Sequence, residues 1–358
     1  MDIKIEYSYN ITTKNKNPNF RFLKNLINPD NNTKKLNSIF EIFQSYKDKL
    51  LYIIIPSCSI IYNNNIDVLS LNKNKFIKSL KGHNHEISSL KYFMNSKNND
   101  EYLISSDVIE LIIIWNISNN YSIKNKINPN NIYSTIYSKL LIFNSSYIIN
   151  SCNNFIITSG ASNKSSRDDN CYTKIYSFDK SDTFIKNVNN SNHYNTYYLL
   201  EWKYEENDYL IECANNGIYI NNLNTDEIYY FLECEFTRNA NHYEGILIKI
   251  RKIEYLSCIN DNGYIIMWDL INKIIFNVIY FGSSCQLFHI ISWDDRYIIV
   301  TNYTNNSINI VDIFQFKIIC CYKLNTNNIV ENIKKVKCDI YSDSLLISFE
   351  DNNIQLWG

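Results

Sequence analysis

The residues able to do chemistry are few and scattered. Five histidines stand at positions 83, 85, 193, 242 and 289. His85-Glu86 begins the helical zinc-peptidase pattern, but no second histidine follows at helical spacing. The Gly-x-Ser-x-Gly turn of a serine nucleophile is absent, and so is the Gly-rich loop that cradles phosphate. Ten cysteines contain no C-x-x-C, and the only adjacent pair is Cys320-Cys321. Cys213, Cys258 and Cys320 sit inside strand-like apolar runs, where a free thiol acts as a small hydrophobe. No nucleophile pairs with a base, so no catalytic residue, metal or cofactor is assigned. His193 and His242 each fall in a long loop, and a metal shared between them is a minor reading.

The elements that would position any site come next. The chain has 358 residues, with 35 Lys+Arg against 36 Asp+Glu and a net charge of −1. A nucleic-acid binder needs a clear basic excess, so that class is not expected. Hydrophobic residues make up 45%, enough to build a core. The chain holds 60 Ile and 58 Asn but only 7 Gly and 4 Pro. Ile and Asn have AT-rich codons, so this skew is read as genomic drift, and Asn runs are not read as function. The longest apolar runs, Leu50–Ile55 and Leu111–Trp115, are strand-sized, and no membrane span is expected. No apolar stretch follows Met1, and the cysteine usage suits a reducing compartment. An intracellular protein, cytoplasmic or nuclear, is the expectation.

Strand-like runs of Ile, Val and Tyr fill the chain, divided by Asn, Asp, Gly and Ser. One strand ending recurs. It reads Val68-Leu69-Ser70-Leu71, Ile114-Trp115-Asn116-Ile117, Ile175-Tyr176-Ser177-Phe178 and Ile220-Asn221-Asn222-Leu223. It continues as Met267-Trp268-Asp269-Leu270, Ile310-Val311-Asp312-Ile313 and Leu356-Trp357-Gly358. The steps between second residues are 46, 61, 45, 47, 43 and 46, close to the length of a propeller blade. Similar runs before and after these endings bring each unit to four strands. The fold class expected is all-β: a seven-bladed β-propeller of four-stranded antiparallel blades.

Gly82-His83 lies between strands, with Trp115-Asn116 following 32 residues after the histidine. Trp268-Asp269 is an intact Trp-Asp pair, and Trp357 nearly ends the chain. This pattern resembles the WD40 repeat family over about residues 18 to 358. The resemblance implies a structural hydrogen-bond tetrad, here His83, Ser105 and Trp115 in the second blade. Asp107 stands eight residues before Trp115, where about six is usual for the family, so only a partial tetrad is expected. In the fifth blade Cys258 takes the Ser/Thr position. Trp268, Asp269 and Trp357 are expected to be structural, with the tryptophans buried between blades.

An unclosed ring of blades would leave sheet edges open to other chains. The sequence stops just after a third strand, while Phe20–Ile27 reads like an outer one. Residues 18–27 are therefore expected to close the ring by pairing near Ile354–Trp357. Residues 1–17 are assigned as a tail or added strand, and 18–358 as the propeller.

The loops expected to share one face are long in blades three to five: Gly160–Asn170, Asn187–Asn195 and Cys234–His242. Loops held by a rigid scaffold are favoured binding sites. Arg167, Asp168, His193, Arg238 and His242 are the candidate partner-binding residues, with Arg167, Arg238 and His242 expected to be exposed on one face. The leading functional reading is a non-catalytic interaction scaffold, a monomeric propeller within a multiprotein complex of unidentified protein partners. Two alternatives are weighed. A phosphoinositide-binding propeller would carry an adjacent Arg pair, and none is present. An enzyme with a site in the central channel lacks a nominated nucleophile.

Overall fold

The computed structural model describes residues 22–357, except for 28–39, 59–63, 128–134, 163–170, 179–183, 189–195, 325–329, 337–343, 350–353 and a few shorter gaps. All its regular elements are β-strands, 3.6-residue periodicity being absent from the sequence.

The strands pair in chain order as four-stranded antiparallel sheets. The first sheet joins Glu41–Gln44, Leu51–Cys58, Asn64–Ser70 and Lys75–Leu80. The second joins Ile87–Met94, Glu101–Asp107, Ile112–Asn116 and Ser122–Ile127. The third joins Thr135–Ile149, Cys152–Ser162, Cys171–Ser177 and Phe184–Asn187. The fourth joins Thr196–Tyr204, Asn207–Ala214, Gly217–Asn222 and Glu227–Leu232. The fifth joins His242–Ile250, Ile253–Asn260, Tyr264–Asp269 and Ile274–Tyr280. The sixth joins Leu287–Ser292, Tyr297–Asn302, Ser307–Asp312 and Lys317–Lys323. The last joins Val330–Val336, Ser344–Phe349 and Ile354–Trp357, and its outer strand is Phe22–Ile27 from the other end of the chain.

First strands of consecutive sheets lie side by side, which is a propeller arrangement of blades. Five blades (the first, second, fourth, fifth and sixth) are described through both backbone and side chains. The third and last sheets are described chiefly by their strand pairing. In the last sheet Phe22 pairs with Trp357 and Ile27 with Ile354, the antiparallel pairing the sequence anticipated.

Burial follows strand order. Second and third strands are buried on both faces, as at Tyr297–Asn302 and Ser307–Asp312. They are nearly continuous Ile, Val and Leu because a neighbouring blade covers each side. Outer strands such as Lys75–Leu80 face solvent along most of their length. The core is therefore a series of inter-blade clusters. Trp115 packs with Phe43, Tyr52, Ile54 and Val68 of the first blade, and Trp268 with Trp202, Ile211 and Ile220 of the fourth. Trp357 departs from expectation: it is half-buried and only flanks the cluster between the sixth and last sheets. It sits near the end of its strand, opposite Phe22.

In the fourth, fifth and sixth blades the residue after the recurring Trp-like position makes the next turn. Asp269 Oδ1 accepts the N–H groups of Ile271 and Asn272, at 3.0 and 2.9 Å. Asp312 Oδ1 does the same for Phe314 and Gln315, and Asn222 Oδ1 for Asn224 and Thr225. Four residues beyond, the chain turns through a left-handed residue: Asn120 at φ 52°, Lys273 at 59° and Phe316 at 52°. A glycine would take this conformation without strain. With seven glycines in the chain, larger residues take it instead.

Candidate interaction surface

The second blade carries a complete hydrogen-bond tetrad. Trp115 Nε1 donates to Ser105 Oγ at 2.8 Å, and His83 Nε2 lies 2.7 Å from the same oxygen. His83 Nδ1 meets Asp107 Oδ2 at 3.0 Å. With the proton on Nδ1 facing the carboxylate, Nε2 accepts from the Ser105 hydroxyl, which accepts from Trp115, so each group is satisfied. Gly82 is required beside His83, because a Cβ there would lie 2.9 Å from both Ile113 Cδ1 and Trp115 Cη2. The partial tetrad expected from sequence is thereby corrected. Asp107 belongs to it from the last position of its strand rather than from a tight turn. It also fixes the longer loop, its Oδ1 accepting the Leu111 N–H at 3.0 Å.

Register locates the same positions elsewhere. Leu103 pairs with Trp115, Leu210 with Asn221, Leu256 with Trp268 and Ile298 with Val311. The residues matching Ser105 are thus Glu212, Cys258 and Val300. In the fourth blade Glu212 is fully buried and accepts hydrogen bonds from Asn221 Nδ2 at 2.9 Å and from Thr173 Oγ1 of the third sheet. Burial pushes its carboxyl above the usual range, and these two donors oppose the shift. In the fifth blade Cys258 offers Trp268 no hydroxyl, and Trp268 Nε1 has no partner. Cys258 Sγ lies instead 3.9 Å from Cys213 Sγ of the fourth blade. In the sixth blade Val300 and Val311 are an apolar pair, both at 0% exposure. One backbone position thus has four chemical solutions, and those at Glu212, Cys258 and Val300 reach a neighbouring blade.

The loop candidates divide. Arg167, Asp168, His193 and Arg238 lie outside the described residues. His242 is described, and it corrects the expectation of exposure: its side chain is fully buried. It begins its strand at the register position of Ile87, Thr196 and Leu287, each of which turns into the core. Neither of its ring nitrogens has a partner in good hydrogen-bond geometry. Burial lowers its pKa to about 4, with the nearby Thr237 backbone only partly opposing this. Among the described residues, no group of three or more His, Cys, Asp or Glu is placed to hold a metal ion.

Strand alternation that buries His242 turns the next residue outward. Tyr197, Tyr243 and Phe288 each occupy the second position of an inner strand, in the fourth, fifth and sixth blades. Their rings form a continuous row. Tyr197 meets Tyr243 edge-on with centroids 5.2 Å apart, and Tyr243 stacks on Phe288 at 4.5 Å. Phe288 meets Tyr303, which stands in the turn after Tyr297–Asn302, at 5.1 Å. Tyr303 is exposed, and the other three are partly so. The row lies at the end of the blades where inner strands start and second strands finish. The repeat could have shown it, since the three inner-strand rings recur at blade spacing.

One residue further along, polar side chains brace the row. Glu244 Oε2 accepts the Ile290 N–H at 2.8 Å and lies 3.3 Å from His289 Nδ1. Tyr198 also hydrogen-bonds Glu244, and burial followed by that carboxylate raises its phenol well above the ordinary range. A single carboxylate thus ties together the inner strands of three blades, leaving the aromatic row on a rigid base.

Neither a scan against protein-family models nor a search of curated proteins finds a match to this chain. No helix among the described residues is long and apolar enough to cross a membrane.

Proposed function

We propose that this chain is a WD-repeat-type propeller acting as a non-catalytic interaction scaffold, a subunit or adaptor of a multiprotein complex inside the cell. Residues 18–358 form a ring of seven blades in this reading, closed by the N-terminal strand, with residues 1–17 appended. The observation that carries the proposal is the row Tyr197–Tyr243–Phe288–Tyr303. Rigid aromatic side chains contribute large contact area at low entropic cost and are enriched at protein interfaces. Asp107, Glu212 and His242 are among the buried ionisable groups, enclosed in blade packing.

The test is affinity purification of the intact protein beside a Tyr243→Ala/Tyr303→Ala variant. A partner recovered with the wild type and lost with the variant, at equal thermal stability, supports the assignment. Equal recovery removes the aromatic row from the interface. In that case reversing Arg167 and Arg238 tests the long loops.

A further inference from the structure

Every blade ends in an outer strand whose far edge lacks a neighbour in its own sheet. Such edges invite pairing with another chain, and proteins block this chiefly with charge, lysine above all. Here the outer strands read KFIKSL, SIKNKI, FIKN, EIYYFL, KIICCYK and, in the last sheet, FLKNLI. Each contains at least one charged residue. The outer strand of the fifth blade, Ile274–Tyr280, reads IIFNVIY and contains none. The uncharged stretch runs on from Ile274 to Phe288. Each of the seven outer pairings carries a bulge-type irregularity, so the missing charge is what sets this strand apart.

The strand is also solvent-facing. Ile274 is 57% exposed, Phe276 40% and Tyr280 50%. Ile253, which opens the second strand, Ile271, in the turn at the same end of the blade, and Phe314 of the next blade are exposed too. Phe276 rests on Tyr255 and Phe316, with centroids 4.4 and 5.5 Å away, which holds it in place as part of an apolar rim.

We propose that Ile274–Tyr280 is a homodimer edge, pairing antiparallel with the same strand of a second copy of this chain. A copy is the occupant the residues favour. The strand opposes itself without any like-charge contact, whereas the lysine-bearing edges would set positive charge near positive charge. Antiparallel pairing about a two-fold axis near Asn277 sets Ile274 against Tyr280 and Phe276 against Val278. It also brings the two Asn277 amides, each both donor and acceptor, to face one another. The union makes one eight-stranded sheet from two fifth blades, in a closed two-fold assembly that leaves no further edge of this kind to propagate. This departs from the monomer expected of the sequence, and it stands or falls independently of the aromatic row.

Sedimentation velocity of the full chain from about 1 to 100 µM tests the proposal. The expected result is a concentration-dependent species of twice the 42.4 kDa chain mass. Ile274→Lys and Tyr280→Lys, both at well-exposed positions, should weaken dimerisation at least tenfold with unchanged circular dichroism and melting. Phe76→Lys, on an edge already bearing lysines, should leave the dimer intact. In hydrogen exchange, amides of 274–280 should gain protection with concentration. A wild type that stays monomeric throughout overturns the proposal, even if another protein is found on the strand. So does a dimer that survives the Ile274→Lys/Tyr280→Lys double variant.

Discussion

Glu41 and Lys334 are 293 residues apart in sequence, yet Lys334 Nζ meets Glu41 Oε2 at 2.6 Å. Glu41 opens the first strand of the first sheet, and Lys334 lies on the first strand of the last. The same ammonium group sits 5.4 Å from the centroid of the Phe40 ring. The two ends of the blade series therefore touch at their inner strands. Both side chains are partly shielded, at 12% and 27% exposure, so the pair is more than a surface bridge. A double-mutant cycle through Glu41→Gln and Lys334→Met should give a coupling of about 1 kcal/mol in denaturant midpoints. Additive effects would show that the pair does not join the ends energetically.

The same junction depends on Phe22–Ile27. Deleting residues 1–28 removes the outer strand of the last sheet and bares the edge of Ile354–Trp357. The expected outcome is aggregation or a broad, non-cooperative melt. A truncated protein that stays soluble and melts like the full chain would place closure elsewhere.

Ser105 serves two buried groups at once. Ser105→Ala leaves Trp115 Nε1 and His83 Nε2 without their partner. Each orphaned group costs about 1–3 kcal/mol, so the denaturant midpoint should fall clearly. A Val300→Ser change, which puts a hydroxyl into the apolar version of the same position, should also destabilise. If both were neutral, the positions would not be equivalent.

The fifth blade offers the reverse experiment. Cys258→Ser places an acceptor where Trp268 Nε1 now has none, at the register position where Ser105 serves Trp115. A gain of about 1 kcal/mol is expected, the net worth of one buried hydrogen bond. Trp268→Ala, in contrast, should cost about 3–5 kcal/mol through the cavity it leaves. An unchanged midpoint in the alanine variant would refute the packing described for Trp268.

Acid stability should carry the mark of His242. Its folded pKa is about 4 against 6.5 for an ordinary histidine. The unfolded chain therefore binds more protons between those values, and stability falls as pH drops from about 6.5 towards 4. The loss approaches about 3 kcal/mol at the bottom of the window, at 1.36 kcal/mol per pKa unit. His242→Leu should flatten this limb in chemical denaturation run from pH 7 to pH 4. Glu212 acts in the opposite sense. Its folded pKa is raised, so its contribution is greatest at low pH and declines as pH rises through the ordinary carboxyl range. Glu212→Gln should therefore stabilise at pH 7 relative to pH 4.

The sequence by itself determined the architecture, because strand endings at near-constant spacing encode a local unit that must stack on copies of itself. Buried second and third strands need unbroken Ile and Val, and the turn after them needs Asp or Asn, so both left a linear trace. The role of Phe22–Ile27 was legible for the same reason: the segment reads like the outer strand Lys75–Leu80. Tertiary structure decided what depends on register and on neighbours in other blades. Whether a residue faces core or solvent flips with each step along a strand, so His242, placed by sequence in an exposed loop, is buried while Tyr243 beside it is not. Asp107 completes the tetrad from a spacing that looked wrong, because hydrogen bonding reads distance in space and not along the chain. The Glu212–Asn221–Thr173 cluster and the aromatic row each draw on more than one blade, and only the stacking of blades brings their members into contact.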